Sequence, residues 1–285
     1  VAQATTDNAL CRTGFHTVNG FRQFYRDWQP RDQQGLPVIA LHGSLAQSGL
    51  WNPIANDSIR MLCPDQRGYG ESEDPGTDFC AEFAADALAL AKHLLPERYV
   101  IMGHSFACSI ALEAARMAPA EIAAVVLVDP VVRIPATAPG ATPVPPPESF
   151  ATREDAERHF RDTEEGQWTA ATLRRFVEDI MTRETESGPW RFPYTAARLR
   201  RLRAFTASPA SDFNLLVKAR AVRCPVLIFR GGLSKRFPAD AEPSFVAGFA
   251  SKPKVVLCPD SGHFPTATEP EIVVEGLTHF LQGTR

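Results

Sequence analysis

The chain has 285 residues, 44% hydrophobic and 22% charged, which is ordinary composition for a large globular protein. A net charge of −3 gives no basic field to attract nucleic acid or an anionic membrane, and no apolar run approaches the roughly 18 residues of a membrane span. Six cysteines with no C-x-x-C pair form neither a disulfide scaffold nor a zinc site.

In chain order, "FHTVNG" and "FRQFYRDW" alternate as strands around Asn19-Gly20, a hairpin turn signal. "PVIALHG" reads as a buried strand, and "IRMLCPD" as the next, followed by the loop "QRGYGESEDPG". Residues 78–95 carry helical periodicity. "RYVIMG" is a further strand, broken at Gly103-His104-Ser105 by a helical pattern that stops near Pro119. "IAAVVLVD" ends at Asp129.

There the alternation breaks. Residues 135–149, "PATAPGATPVPPPES", read as a semi-rigid connector. About 65 residues of charge-dense, helix-like sequence follow with no strong strand. Between Thr152 and Arg203 there are eleven Arg and ten Asp plus Glu, so the arginines read as a solvated, i,i+4-paired helix face rather than an anion site. "CPVLIFRGG", a helix near 239–250, "KPKVVLCPD" and the closing helix "PEIVVEGLTHFLQG" restore the alternation. Buried runs separated by helices imply an α/β fold, a mainly parallel sheet with helices on both faces. The expected organisation is a core over 1–130 and 211–285 with a helical cap inserted at 131–210.

Ligands bind outside the carboxyl ends of such strands. Those ends carry His42-Gly43-Ser44, Asp65, Ser105, Asp129, Ser234-Lys235 and Asp260-Ser261-Gly262-His263. Ser105 lies in G-x-S-x-A, where a sharp strand-to-helix turn would project its hydroxyl; a plain helix cap is the competing reading. Neutral imidazole is the base that activates a serine at pH 7, and His263 follows Ser105 in the chain at another strand end.

These stretches together resemble the α/β-hydrolase superfamily, over nearly the whole length. The resemblance rests on His42-Gly43 with Trp51, "DQRGYGES", "GHSFA" and "SGHFPTATEPEIV". It implies a sheet of about eight strands, Ser105 as nucleophile, His263 as base, and an oxyanion hole from the backbone N–H groups of Ser44 and Phe106. The sequence departs from the family pattern at the acid. The strand returning from the cap ends in "RGGLSKRF", with Ser234 and Lys235 where an Asp usually stands. Asp129, ending the strand before the cap, occupies the position some branches use instead, and Asp240 is the alternative. Asp65 and Arg67 are expected to brace a loop, His42 to order the oxyanion loop, and His104 to line the pocket or pack. Asp260 stands too near His263 to be its partner. Trp168, Trp190, Phe192 and Tyr194 are candidates for the inner face of the cap, or for its own core.

The expected activity is cofactor-free, metal-free hydrolysis of a small to medium, partly apolar ester or lactone through an acyl-enzyme. Alternatives are carbon–carbon hydrolysis of a diketone-like ring-cleavage product and, in another class, a non-catalytic receptor on the same scaffold. The expected partner is a small-molecule substrate, with no nucleic acid and no membrane. A cytoplasmic location is expected, with a removed N-terminal segment left open because the first residue is Val1.

Overall fold

The computed structural model describes residues 10–133, 147–206 and 211–284. Eight strands form one sheet: β1 (Leu10–Val18), β2 (Phe21–Gln29), β3 (Val38–Leu41), β4 (Met61–Pro64), β5 (Tyr99–His104), β6 (Ile122–Val128), and, after a two-stranded ribbon of β7 (Ser149–Phe150) with β8 (Trp190–Arg191), β9 (Val226–Gly231) and β10 (Lys254–Cys258). The spatial order is β1-β2-β4-β3-β5-β6-β9-β10. The hairpin β1–β2 and the pair β2–β4 are antiparallel, and every other pair is parallel. Asn19 (φ 47°) and Gly20 (φ 88°) both take positive φ in the turn joining β1 to β2, as a tight hairpin between right-twisted strands requires.

Burial explains which strands are central. Every residue of β3, β4, β5, β6 and β9 is buried, whereas the edge strands β1 and β10 alternate or open to solvent. Continuous apolar runs such as "IAAVVLV" suit strands covered on both faces. Helices α1 (Cys80–Leu94) and α2 (Ala107–Met117) cover one face, and α9 (Pro270–Gln282) the other. Between β6 and β9 lie α3 (Arg153–Thr163), α4 (Ala170–Ile180), α5 (Ala196–Thr206) and α6 (Leu215–Ala221), the last packed on α2.

Two expectations need adjusting. The charge-dense insertion does contain strand, the β7–β8 ribbon, too short for periodicity to reveal. The helix expected near 239–250 is a 3-10 turn, Ala239–Ala241, followed by α7 (Glu242–Val246), because Pro238 and Pro243 restrict the chain there. The Pro-rich connector lies mostly outside the described residues. No described helix is long and apolar enough to cross a membrane.

The order places the site. The chain runs from β3 to β4 on one side, then returns to β5 on the other side of β3. At that switch the loops leaving the carboxyl ends of β3 and β5 diverge, opening a crevice. His42-Gly43-Ser44 leaves β3 and Ser105 leaves β5.

Candidate active site

Ser105 sits between β5 and α2 with φ 59°, a left-handed conformation rare for a residue with a side chain. Its N–H is tied to the Val128 carbonyl at 3.0 Å, which holds the turn against β6. The turn can be this tight because Gly103 lacks a Cβ: one there would stand 2.3 Å from the Ala107 carbonyl oxygen. The residue is 6% exposed, so its hydroxyl faces an interior space.

Asp129 ends β6 with φ 42°. Among the described residues only three non-glycines have positive φ; one is Asn19 in the hairpin turn, and the others are Ser105 and Asp129. Backbone strain of this kind is held in place by its surroundings and concentrates at functional sites.

His263 joins them. Its Nε2 is 2.8 Å from Ser105 Oγ and its Nδ1 is 2.7 Å from Asp129 Oδ2. A carboxylate only accepts, so Nδ1 carries the proton and Nε2 offers its lone pair to the serine hydroxyl. Asp129 Oδ2 also accepts the Ser234 hydroxyl at 2.6 Å, and Oδ1 accepts the Gly231 N–H at 3.1 Å. Burial holds the His263 imidazole well below the usual histidine value, with the Arg236 guanidinium pushing the same way. Burial also pushes Asp129 up to about 6, against the opposing pull of its Ser234 and Gly231 bonds.

Asp240 stands elsewhere. It is exposed, with its carboxylate 2.8 Å from Arg133. Asp260 takes a bond from the Gln167 amide at 3.1 Å.

The N–H groups of Ser44 and Phe106 have no hydrogen-bond partner among the described residues. Both residues wall a cavity of about 240 Å³ that also contains Ser105 and His263. His42 lies behind that loop: its Nδ1–H donates to the Gly43 carbonyl (2.8 Å), and Nε2 accepts the Gln66 N–H (3.0 Å). Burial lowers it to about 4, so it is a neutral brace between the loops after β3 and β4. Asp65 accepts the N–H groups of Ser48 and Glu71, and Arg67 pairs with Asp86 at 2.6 Å, so both stiffen the same region. His104 donates from Nε2 to the His263 carbonyl at 2.7 Å, and burial lowers it to about 3.

The roof of the cavity comes from α5, through Leu199, Leu202, Arg203 and Thr206. Trp168, Trp190, Phe192 and Tyr194 are not among its walls. Phe192 stacks on Tyr194 at 5.3 Å, and Trp168 packs on Phe176 at 5.0 Å, inside the helical insertion. The i,i+3 leucines on α5 were hidden within "RLRRLR". Sequence reasoning met Ser234 only as the place of a missing acid and missed Arg236, since neither type is diagnostic. Arg236 borders the cavity and pairs with Glu164 and Glu165 at 3.2 and 3.3 Å. Among the described residues no group of three or more His, Cys, Asp or Glu could hold a metal ion.

A hydroxyl hydrogen-bonded to a neutral imidazole, itself held by a carboxylate, is an arrangement for nucleophilic attack, and two free N–H groups beside it can receive a developing oxyanion. A family model described as "Alpha/beta hydrolase family" matches residues 38–276. The chain is 36% identical over 121 residues to a non-heme chloroperoxidase of Streptomyces lividans, a match covering 40% of this chain and 43% of that protein's length. It is 27% identical over 259 residues to a 2-(acetamidomethylene)succinate hydrolase of Mesorhizobium japonicum, covering 87% of this chain and 88% of that one. A crystal structure of E-2-(acetamidomethylene)succinate hydrolase superposes with a TM-score of 0.74 at 20% identity, over 95% of this chain and 99% of the other, which speaks for the fold.

Proposed function

The chain belongs to the α/β-hydrolase family, and from that membership we propose that it is a cofactor-free serine hydrolase. In this reading it cleaves a small to medium, partly apolar carboxylic ester or lactone beneath a helical cap. The observation that carries it is the continuous contact from Ser105 Oγ through His263 to Asp129, 2.8 and 2.7 Å long, beside two unpartnered N–H groups.

His263 Nε2 takes the Ser105 proton as Oγ attacks the substrate carbonyl. The oxyanion forms against the N–H groups of Ser44 and Phe106, which α2 augments by presenting its N-terminal end. Asp129 fixes the Nδ1–H tautomer and stabilises the imidazolium, which returns its proton to the leaving alkoxide. Water, deprotonated by the same Nε2, then attacks the acyl-enzyme and restores Ser105. Leu199 and Leu202 give the cavity apolar walls, and its volume of about 240 Å³ suits a short acyl or alkoxy group.

The receptor alternative drew on the missing acid at the return strand. Asp129 at 2.7 Å from His263 speaks against that alternative. The test is a panel of aryl esters, lactones and diketone-type ring-cleavage products, assayed beside Ser105→Ala. Ester or lactone turnover lost in the variant is expected; turnover confined to the diketones would replace this substrate class with carbon–carbon cleavage.

A further inference from the structure

Ser234 follows the end of β9, the strand next to the one that leads into Asp129. β6 and β9 are parallel neighbours, with Val128 level with Phe229, and the Asp129 N–H donates to the Phe229 carbonyl at 2.8 Å. The loops leaving the two strands therefore emerge side by side. Ser234 Oγ accepts two backbone N–H groups, from Arg236 at 3.2 Å and Phe237 at 3.1 Å. A hydroxyl has two lone pairs and one proton. With both lone pairs engaged, its proton must go to Asp129 Oδ2, 2.6 Å away.

The direction of that bond matters. Oδ2 receives Ser234 O–H and His263 Nδ1–H together, while Oδ1 receives Gly231 N–H. Three donors converge on one buried carboxylate and leave no room for a proton on Oδ2. They also fix the plane of the carboxylate toward the imidazole. Charge-assisted bonds of this kind are about twice as strong as neutral ones.

Resting on the serine-hydrolase reading above, we propose that Ser234 is a positioning residue for the acid, acting on His263 through Asp129. The donor chain thus runs across two strand ends: Ser234 orients Asp129, Asp129 orients His263, and His263 acts on Ser105. Glycine is the natural way to clear position 129, because its φ of 42° suits that residue.

The experiment compares wild type, Ser234→Ala, Ser234→Thr, Ser234→Cys and Asp129→Gly, with ester turnover recorded against pH. Ser234→Ala is expected to lose about tenfold in kcat with KM little changed, and its acidic limb should move to higher pH. Ser234→Thr keeps the hydroxyl and should recover most of the loss. Wild-type kcat and acidic limb in Ser234→Ala, with Asp129→Gly inactive, would overturn the positioning role and leave the triad reading standing. Equal losses in the Ala and Thr variants with an unmoved limb would overturn it as well. Should Ser234→Ala fail to fold, Ser234→Cys decides, since its weaker donor should move the acidic limb upward where Ser234→Thr does not, and an unmoved limb overturns the role. Wild-type turnover in Asp129→Gly would instead sink the triad reading and this inference with it.

Discussion

Asp129 Oδ2 lies 2.7 Å from His263 Nδ1 although 134 residues separate them in the chain. The helical insertion fills most of that interval, so the contact forms only when β6 and β9 pair and the turn after β10 folds back over their ends. The proposed acid and base are therefore brought together by the sheet, not by local sequence. Asp129→Asn, which can still hydrogen-bond but cannot hold the required tautomer, is expected to lose several orders of magnitude in turnover. Asp240→Asn, at the exposed Arg133 pair, should leave turnover unchanged. Steady-state kinetics of both variants check this, and a silent Asp129→Asn would contradict it.

Ser105→Ala and His263→Ala should each remove most turnover, and the double variant should be little worse than either single one. Groups acting as one unit do not contribute additively. Additive losses in kcat would show that the two side chains act separately.

Strain at Ser105 gives a stability prediction. Ser105 holds φ 59°, a conformation that glycine adopts without penalty. Ser105→Gly is expected to be inactive yet more stable by about 1 kcal/mol, read as a rise in Tm of roughly 2–4 °C. A lower Tm would mean that the turn is not strained.

The pH dependence of kcat/KM follows from the two buried groups. The proposed mechanism requires a neutral His263 and an ionised Asp129. Burial keeps His263 low, so it stays neutral at neutral pH, while the carboxyl of Asp129 is pushed up to about 6. Activity should thus fall as pH drops through about 6, with the limb belonging to the coupled pair. A profile flat down to pH 4 would contradict it.

Glu164 offers a stability test away from the chemistry. Burial pushes its carboxyl up from 4.5 to about 7 beside Arg236. A group whose folded value is raised binds more protons in the folded state, so stability declines as pH rises from about 4.5 through 7. Glu164→Gln lacks that titration. The stability of the variant relative to wild type should therefore rise across this window, by on the order of 2 kcal/mol, in denaturant titrations at pH 4 and pH 8. A difference independent of pH would contradict the burial argument.

Much of this architecture was legible in the sequence for a physical reason. Central parallel strands must be apolar on both faces, so "PVIALHG", "RYVIMG" and "IAAVVLVD" stood out, and their ends named Ser44, Ser105 and Asp129. The hairpin at Asn19-Gly20 was equally plain, because few residue pairs accept two positive φ angles. What stayed hidden depends on neighbours distant in sequence. Ser234 looked like the absence of an acid, because a serine's proton direction is set only once Arg236 and Phe237 supply their N–H groups. The roof residues Leu199 and Leu202 were masked by the arginines around them, and the conspicuous aromatics Phe192 and Tyr194 turned out to pack on each other. The two-residue ribbon of β7 and β8 was too short for any period to register.

Covalent labelling tests whether Ser105 is an activated nucleophile. Wild-type protein, Ser105→Ala and His263→Ala would be treated with a fluorophosphonate probe and followed by intact-mass and peptide mass spectrometry. One adduct per wild-type chain on Ser105 is expected, absent in Ser105→Ala and formed far more slowly in His263→Ala. An unlabelled Ser105 in folded wild-type protein, or labelling at the same rate without His263, would contradict the account.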